Sequence, residues 1–252
     1  MTTDVSNEES KQRMEHFDQV INPIGEEFSD KLNTKFLEAP TSKLLGEKYE
    51  ILRRNQLNEK EIFSKDNIEL NKKVDKLAME ISEIQGKLTA SWEGEEVPLP
   101  ELWPHLKSTD REVRKKASDS MFASELSVSE VIDDKFSELL KLRNQIASNA
   151  GFSSYTEYRF KDMQRFDWGV SDCTEFHAAV KKHILPLREK LLELRKKNLD
   201  IDTVKYYDTG VDISGRDPLQ IYEKGNSELM VEGTEKIIKA IDGDLHEYPK
   251  SP

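Results

Sequence analysis

An all-α, mostly helical fold is the first expectation, and three features of the sequence lead to it. Eleven Gly and nine Pro in 252 residues are too few for the turns of a sandwich or a propeller. Charged residues make up 35% of the chain, against about 25% in an ordinary soluble protein, which suits solvated helix faces. Apolar residues recur at spacings of three and four over most of the length. Leu, Ile, Val and Phe together number 63 of 252, above the ~20% floor below which a chain stays disordered, so a core can be buried.

Residues 1–10, rich in Ser, Asn and Glu, read as a disordered tail. From Gln12 to Pro40 the clusters Phe17, Val20, Ile21, Ile24, Phe28, Leu32, Phe36 and Leu37 predict one or two short helices interrupted by Pro23 and Gly25. Between Gly46 and Gly86 there is neither Gly nor Pro. Leu70, Val74, Leu77, Ile81, Ile84 and Leu88 form a heptad seam there, and Tyr49, Leu52, Gln56, Glu59 and Phe63 hold its rhythm upstream with two polar breaks. A single helix over 42–88 would be about 70 Å long. An antiparallel hairpin bent at Lys65-Asp66-Asn67 fits the same periodicity. Trp92 to Pro100, with two prolines and Gly94, is a boundary loop with room for a short strand, closing an N-terminal helical domain over 11–95.

Capping boxes follow. Thr109-x-x-Glu112 opens a helix carrying Val113, Ala117 and Met121. Ser127-x-x-Glu130 opens a second with Phe136, Leu139, Leu140, Ile146 and Ala147, ending at Gly151, and Ser154-x-x-Glu157 opens a third. Asp172, with Glu175, starts a longer helix whose stripe is Phe176, Val180, Ile184, Leu187, Leu191 and Leu194, with Pro186 expected to kink it. Val204, Tyr206, Tyr207, Val211 and Ile213, among Gly210, Gly215 and Pro218, predict a short β-ribbon within 204–221. A last helix covers about Ser227 to Ile241.

Forty-nine acids against 38 bases leave a net charge of −11, which repels phosphate, so nucleic acid is not an expected partner. No apolar run approaches the ~18 residues that span a bilayer, and the polar N-terminus has no signal-peptide core, so no membrane partner is expected. The lone Cys173 fits a reducing compartment, and the expected location is cytoplasmic.

The residues show no active site. Zinc hydrolysis needs two imidazoles on one helical face beside a carboxylate base. Of His16, His105, His177, His183 and His246, none has another histidine three or four residues away, and in His246-Glu247-Tyr248-Pro249-Lys250 a lysine takes the second ligand's place. Cys173 and His177, at i and i+4, lack the other half of a metal site and the third group of a nucleophile–base pair. Phosphate-binding glycine loops and the G-x-S-x-G and EF-hand patterns are absent. The run Leu187–Lys197 reads as a solvated face.

The stretch from Phe136 to Phe160 (FSELLKLRNQIASNAGFSSYTEYRF) resembles a signature of the M3 zinc metallopeptidases, closest to their oligoendopeptidase F branch. Its pattern is a helix with "L..LR..iA...GF" followed by "y.eY.f". Thr109–Ala117 resembles the helix that opens the peptidase region. Phe166-Asp167 with Phe176, Val180, His183 and Pro186-Leu187 resembles a further family stretch, as does Tyr206-Tyr207-Asp208 with Gly215-Arg216 and Pro218. The heptad helix with Gly86–Ala90 resembles the family's helical N-terminal domain. The resemblance runs from about residue 35 to Tyr248.

That resemblance implies a bowl of helices over a deep cleft, where zinc held by H-E-x-x-H and a later glutamate cleaves oligopeptides. Complete relatives are far longer, and their zinc motif lies beyond the position of the helix at 227–241. No catalytic or metal-binding residue therefore carries over. The expectation is a truncated peptidase, with 101–252 as the first portion of a peptidase domain. It would hold no cofactor of its own, be inactive alone, and meet an oligopeptide substrate only when completed. A non-catalytic helical interaction module and one half of a split peptidase are the alternatives, with self-association through exposed apolar surface. Tyr155, Tyr158, Arg159 and Asp208 are the family-signature positions, serving either packing and caps or substrate contact.

Overall fold

The computed structural model describes residues 7–44, 46–218 and 226–241. Asn7 caps the first helix, α1 (Glu8–His16), its Oδ1 accepting the Ser10 N–H at 2.9 Å, so helix begins inside the segment expected to be a tail. α1 runs through a π turn (Phe17–Ile21) directly into α2 (Asn22–Glu38) without a break at Pro23 or Gly25. A proline ring clashes with the carbonyl four residues before it. The wider π turn, in which Asn22 N–H bonds Phe17 O, ends two residues ahead of Pro23 and makes room for that ring. The same arrangement precedes Pro186: α8 (Val170–Ala179) passes through a π turn (Val180–Ile184) into α9 (Leu185–Asn198). Both prolines sit in the first turn of the following helix, where a missing N–H costs least.

The 42–88 stretch is neither one rod nor a hairpin bent at Lys65. It breaks at Phe63-Ser64 into α3 (Glu50–Ile62) and α4 (Lys65–Gly86). Phe63 and Ser64 are extended, and the two helices take different neighbours: α3 lies on α2 and α7 (Tyr155–Asp162), whereas the heptad seam of α4 lies on α6 (Ser129–Asn149).

The strand pair lies earlier than the ribbon expected at 204–221. β1 (Thr89–Trp92) and β2 (Glu95–Pro98) pair antiparallel around Glu93-Gly94, both in the left-handed region at φ 53° and 93°, as a two-residue hairpin requires. β1 docks on α5 (Arg111–Ser127) through Ser120 Oγ to Ser91 O and Ser124 Oγ to Thr89 O, each 2.6 Å. Ala90, Leu102 and Ala117 form the core below it, packed by Trp92, Val97, Leu106 and Met121. Within 203–218 the chain instead makes a 3-10 turn at Tyr206–Asp208, because arginine side chains take the carbonyls a partner strand would use. Arg114 Nε binds Tyr207 O, and Arg195 Nη1 binds Asp208 O and Val211 O. Residues 219–221 of the expected ribbon lie outside the described residues.

Three caps differ from expectation. Asp110, not Thr109, caps α5, accepting the Glu112 N–H at 2.9 Å. Ser127 ends α5 rather than opening α6, its hydroxyl bonded to Ser124 O. The rod α8–α9 starts at Val170, with Asp172 accepting the Gly169 N–H. Ser154 does cap α7, and Gly151, at φ 82°, closes α6. α10 (Ser227–Ile241) follows where the periodicity placed it. Among the described residues no helix is long and apolar enough to cross a membrane.

Leu102 is fully buried and its neighbour Trp103 is exposed, so the two should part in a denaturation experiment. Leu102→Ala is expected to lower the unfolding free energy in guanidinium by about 2–5 kcal/mol, and Trp103→Ala by less than about 1 kcal/mol.

Candidate functional site

Helix α7 places three of the four signature residues. Ser154 fixes its start, and Asn58 of α3 holds its other end, donating from Nδ2 to Lys161 O at 2.9 Å while Lys161 Nζ reaches Glu61 at 3.1 Å. Tyr158 stands edge-on to Phe152 and stacks on Tyr155, with ring centres 5.7 and 5.9 Å away. The Arg143 guanidinium lies 5.6 Å from the Tyr155 ring centre. Arg159 is exposed and pairs with Asp162 on its own helix.

Tyr158 and Asp162 line a cleft of about 230 Å³ opposite Glu26, Asp30 and Asn33 of α2, with Glu59 of α3 and Asn71 of α4 at its sides. Burial, with Asp162 adding to it, pushes the Tyr158 hydroxyl up to about 12, so it is a neutral hydrogen-bond donor throughout the physiological range. Burial also raises Glu26; Asp75 adds to the rise, and a hydrogen bond from Asn71 opposes it. Asn33 Nδ2 donates to Glu59 Oε2 at 2.7 Å. The cleft is rich in acceptors and holds no nucleophile with a base beside it. It suits polar and cationic groups.

Asp208 is elsewhere. It is fully buried against α5, taking Arg111 Nε and Nη2 at 3.1 and 2.9 Å, Arg114 Nη2 at 2.8 Å and the Lys205 N–H at 2.9 Å. Burial alone would raise its pKa, but the hydrogen bonds from Arg111, Lys205 N–H and Arg114 outweigh it and hold the carboxyl at about 2. Arg114, equally buried, spends its remaining donors on Tyr207 O, Ser108 O and Thr109 O. The structure thus brings Tyr155, Tyr158 and Arg159 together and leaves Asp208 in a separate anchor.

Sequence reasoning missed the cleft carboxylates and both arginines. Arg114 carried a legible signal, lying on the same helical face as Ala117 and Met121 at spacings of three and four, where a charge needs a buried partner. Asn67 carried another, three residues ahead of Leu70 on the heptad seam. It is buried, donating to Ile146 O at 3.0 Å and accepting from Asn149 at 2.9 Å.

The described residues do not fit a zinc ion. His105 lies against the Trp92 ring at 4.5 Å, His16, His177 and His183 are exposed on separate turns, and His246 is outside the described residues. Cys173 is a half-buried free thiol on α8, one turn before His177. Among the described residues no three His, Cys, Asp or Glu side chains gather closely enough to hold a metal.

This is a helical scaffold with a polar cleft and a buried charge anchor. The sequence profile of peptidase family M3 matches residues 105–240, and the chain belongs to that family. No curated protein matches it. Among solved structures, PZ peptidase A with an inhibitor is 27% identical, with a TM-score of 0.89 over 97% of this chain and 43% of that one. A Bacillus anthracis str. Ames protein assigned as an oligoendopeptidase F is 21% identical, with a TM-score of 0.87 over 97% of this chain and 44% of that one. The oligoendopeptidase-F of Enterococcus faecium is 19% identical, with a TM-score of 0.57 over 87% and 44%. The chain therefore spans less than half the length of these relatives.

A carboxyl whose folded pKa is depressed stabilises the fold above its unfolded value and loses that contribution as pH falls. For Asp208, shifted from 3.8 to about 2, the contribution is present above pH ~4 and disappears toward pH ~2. It amounts to about 2 kcal/mol. Asp208→Asn, which leaves Arg114 buried without its counter-charge, should cost about 3–5 kcal/mol at neutral pH. It should also flatten the acid limb of the stability–pH curve measured by urea denaturation.

Proposed function

We propose that the chain is the N-terminal portion of an oligoendopeptidase F-type enzyme. It builds the helical layer and one wall of a cleft in which oligopeptides are cleaved by zinc chemistry supplied by the rest of the fold. The single observation carrying this is a superposition that takes in 97% of the chain but under half of PZ peptidase A, together with the M3 profile match. Within the 252 residues there is no H-E-x-x-H, so the ligands and general base belong to residues outside them, and the chain by itself is inactive. The acceptor-rich cleft beside Tyr158 supports a role in holding the polar or cationic parts of an extended peptide.

The purified chain should retain no zinc after dialysis and leave an internally quenched oligopeptide uncut. Co-expression with the part of PZ peptidase A that the superposition leaves uncovered should yield cleavage that a chelator abolishes. One equivalent of bound zinc, or chelator-sensitive cleavage by the chain alone, would overturn the reading.

A further inference from the structure

The cleft between α2, α3, α4 and α7 carries negative charge that the chain does not balance. Glu26 and Asp30 of α2, Glu59 of α3 and Asp162 of α7 all line it, and no Lys, Arg or His does. Of these four carboxylates only Asp162 has an ion-pair partner among the described residues, Arg159 on its own helix. A carboxylate drawn out of water without a counter-charge is costly. Glu26 registers that cost: burial raises its pKa against a hydrogen bond from Asn71, and Asp75 adds to the rise.

An independent sign of a missing donor comes from Asn33. It is only 7% exposed, yet it lines the cleft. Its Nδ2 donates to Glu59 Oε2 at 2.7 Å, and because a carboxylate only accepts, this fixes which end of the amide lies there. The other end, Oδ1, meets no donor among the described residues. A buried amide oxygen left open beside three unpaired carboxylates fits a ligand that brings several N–H groups.

The spacing of these acceptors selects the ligand. Among the described residues no three carboxylates gather closely enough for a metal ion, so a point charge cannot serve them together. A guanidinium spreads five N–H donors over a rigid plane and reaches acceptors on different helices at once, whereas an ammonium offers three from a single nitrogen. Ile62 and Phe63 give the cleft an apolar wall for a methylene stem, and the Tyr158 ring borders the same space with a face that attracts such a cation.

We propose that this cleft is a specificity pocket for an arginine side chain of a bound peptide, its guanidinium held among Glu26, Asp30, Glu59 and Asn33 Oδ1. This deepens the peptidase reading and rests on it for the source of the arginine; the binding itself is a property of the 252-residue chain.

The ¹⁵N-labelled chain would be titrated with the blocked tripeptide acetyl-Ala-Arg-Ala-amide and followed through its amide chemical shifts. The citrulline counterpart, equal in shape but uncharged, and the lysine counterpart are the comparisons. Saturable binding of the arginine peptide, roughly tenfold tighter than that of the citrulline peptide, is expected, with the lysine peptide weaker than arginine. Glu59→Gln keeps an acceptor for Asn33 and removes one charge. It should weaken the arginine peptide roughly tenfold and leave the citrulline peptide unchanged. Asp30→Asn, which breaks no hydrogen bond of the described residues, should act the same way. Glu27→Gln, on α2 outside the cleft, should change neither. Equal affinity for the arginine peptide and either counterpart would overturn the proposal, as would arginine binding undiminished in both cleft variants. In the co-expressed pair, a preference in KM for arginine over citrulline that Glu59→Gln abolishes is expected. An active pair without that preference, while the isolated chain still binds arginine, would give the pocket to an arginine of the remaining fold and overturn the proposal. An inactive pair, beside intact discrimination by the isolated chain, would count against the peptidase reading and uphold the arginine pocket.

Discussion

The buried carboxylate of Asp208 is the point on which the second half of the chain depends. Desolvating a charge is tolerable only when its partners are complete. Here Arg111, Arg114 and the Lys205 N–H complete them, and Arg114 in turn bonds three carbonyls from two loops. One anion thus fastens the loop 203–211 to the first turns of α5. Because Arg195 is bonded to carbonyls of that same loop, the end of the rod α8–α9 is fastened to α5 at second hand. The hairpin β1–β2 reaches α5 from its other face through two serine hydroxyls. Helix α5 is consequently the beam to which hairpin, loop and rod are all fixed.

The first half is assembled on a different principle. Three asparagines buried within helices join one helix to the next: Asn33 joins α2 to α3, Asn58 joins α3 to the end of α7, and Asn67 joins α4 to the end of α6. Asn58 and Asn67 donate to carbonyls in the last turns of α7 and α6, which already accept a backbone N–H, and as second donors there they fix where those ends lie. Unlike apolar contacts, such bonds do not tolerate sliding, which holds the α7 signature residues against the cleft carboxylates. Tyr155 and Tyr158 are packed by rings from α6–α7, so at these positions the family signature is written mainly in packing, with one edge of Tyr158 left to the cleft.

Much of the helical architecture was legible because it rests on periodicity. The seam of α4, the Ser154 cap, the Gly151 terminus and the extent of α10 all follow from local rules. What was not legible depends on partners distant in sequence. The residues from Val204 to Ile213 have the composition of a ribbon, yet Arg114 and Arg195 occupy the carbonyls that a second strand would need. Pro23 and Pro186 are helix breakers by local rule, but a π turn ahead of each absorbs the ring, and nothing in residues 17–21 or 180–184 announces that turn. The cleft was invisible for a related reason. Glu26, Asp30 and Glu59 are ordinary helix-surface residues until α7 is laid across them.

The apolar seam of α8–α9 follows from the same economy of contacts. A helix gains most of its stability from a covered apolar face rather than from its own propensity. The rod is nevertheless tethered mainly at one end, and its most apolar row is turned outward. Had selection acted on this surface only for solubility, charged residues at 176, 187 and 191 would have satisfied the helix equally well. Phenylalanine and leucines at those positions leave the row uncovered within this chain, which spans less than half the length of the solved structures it resembles.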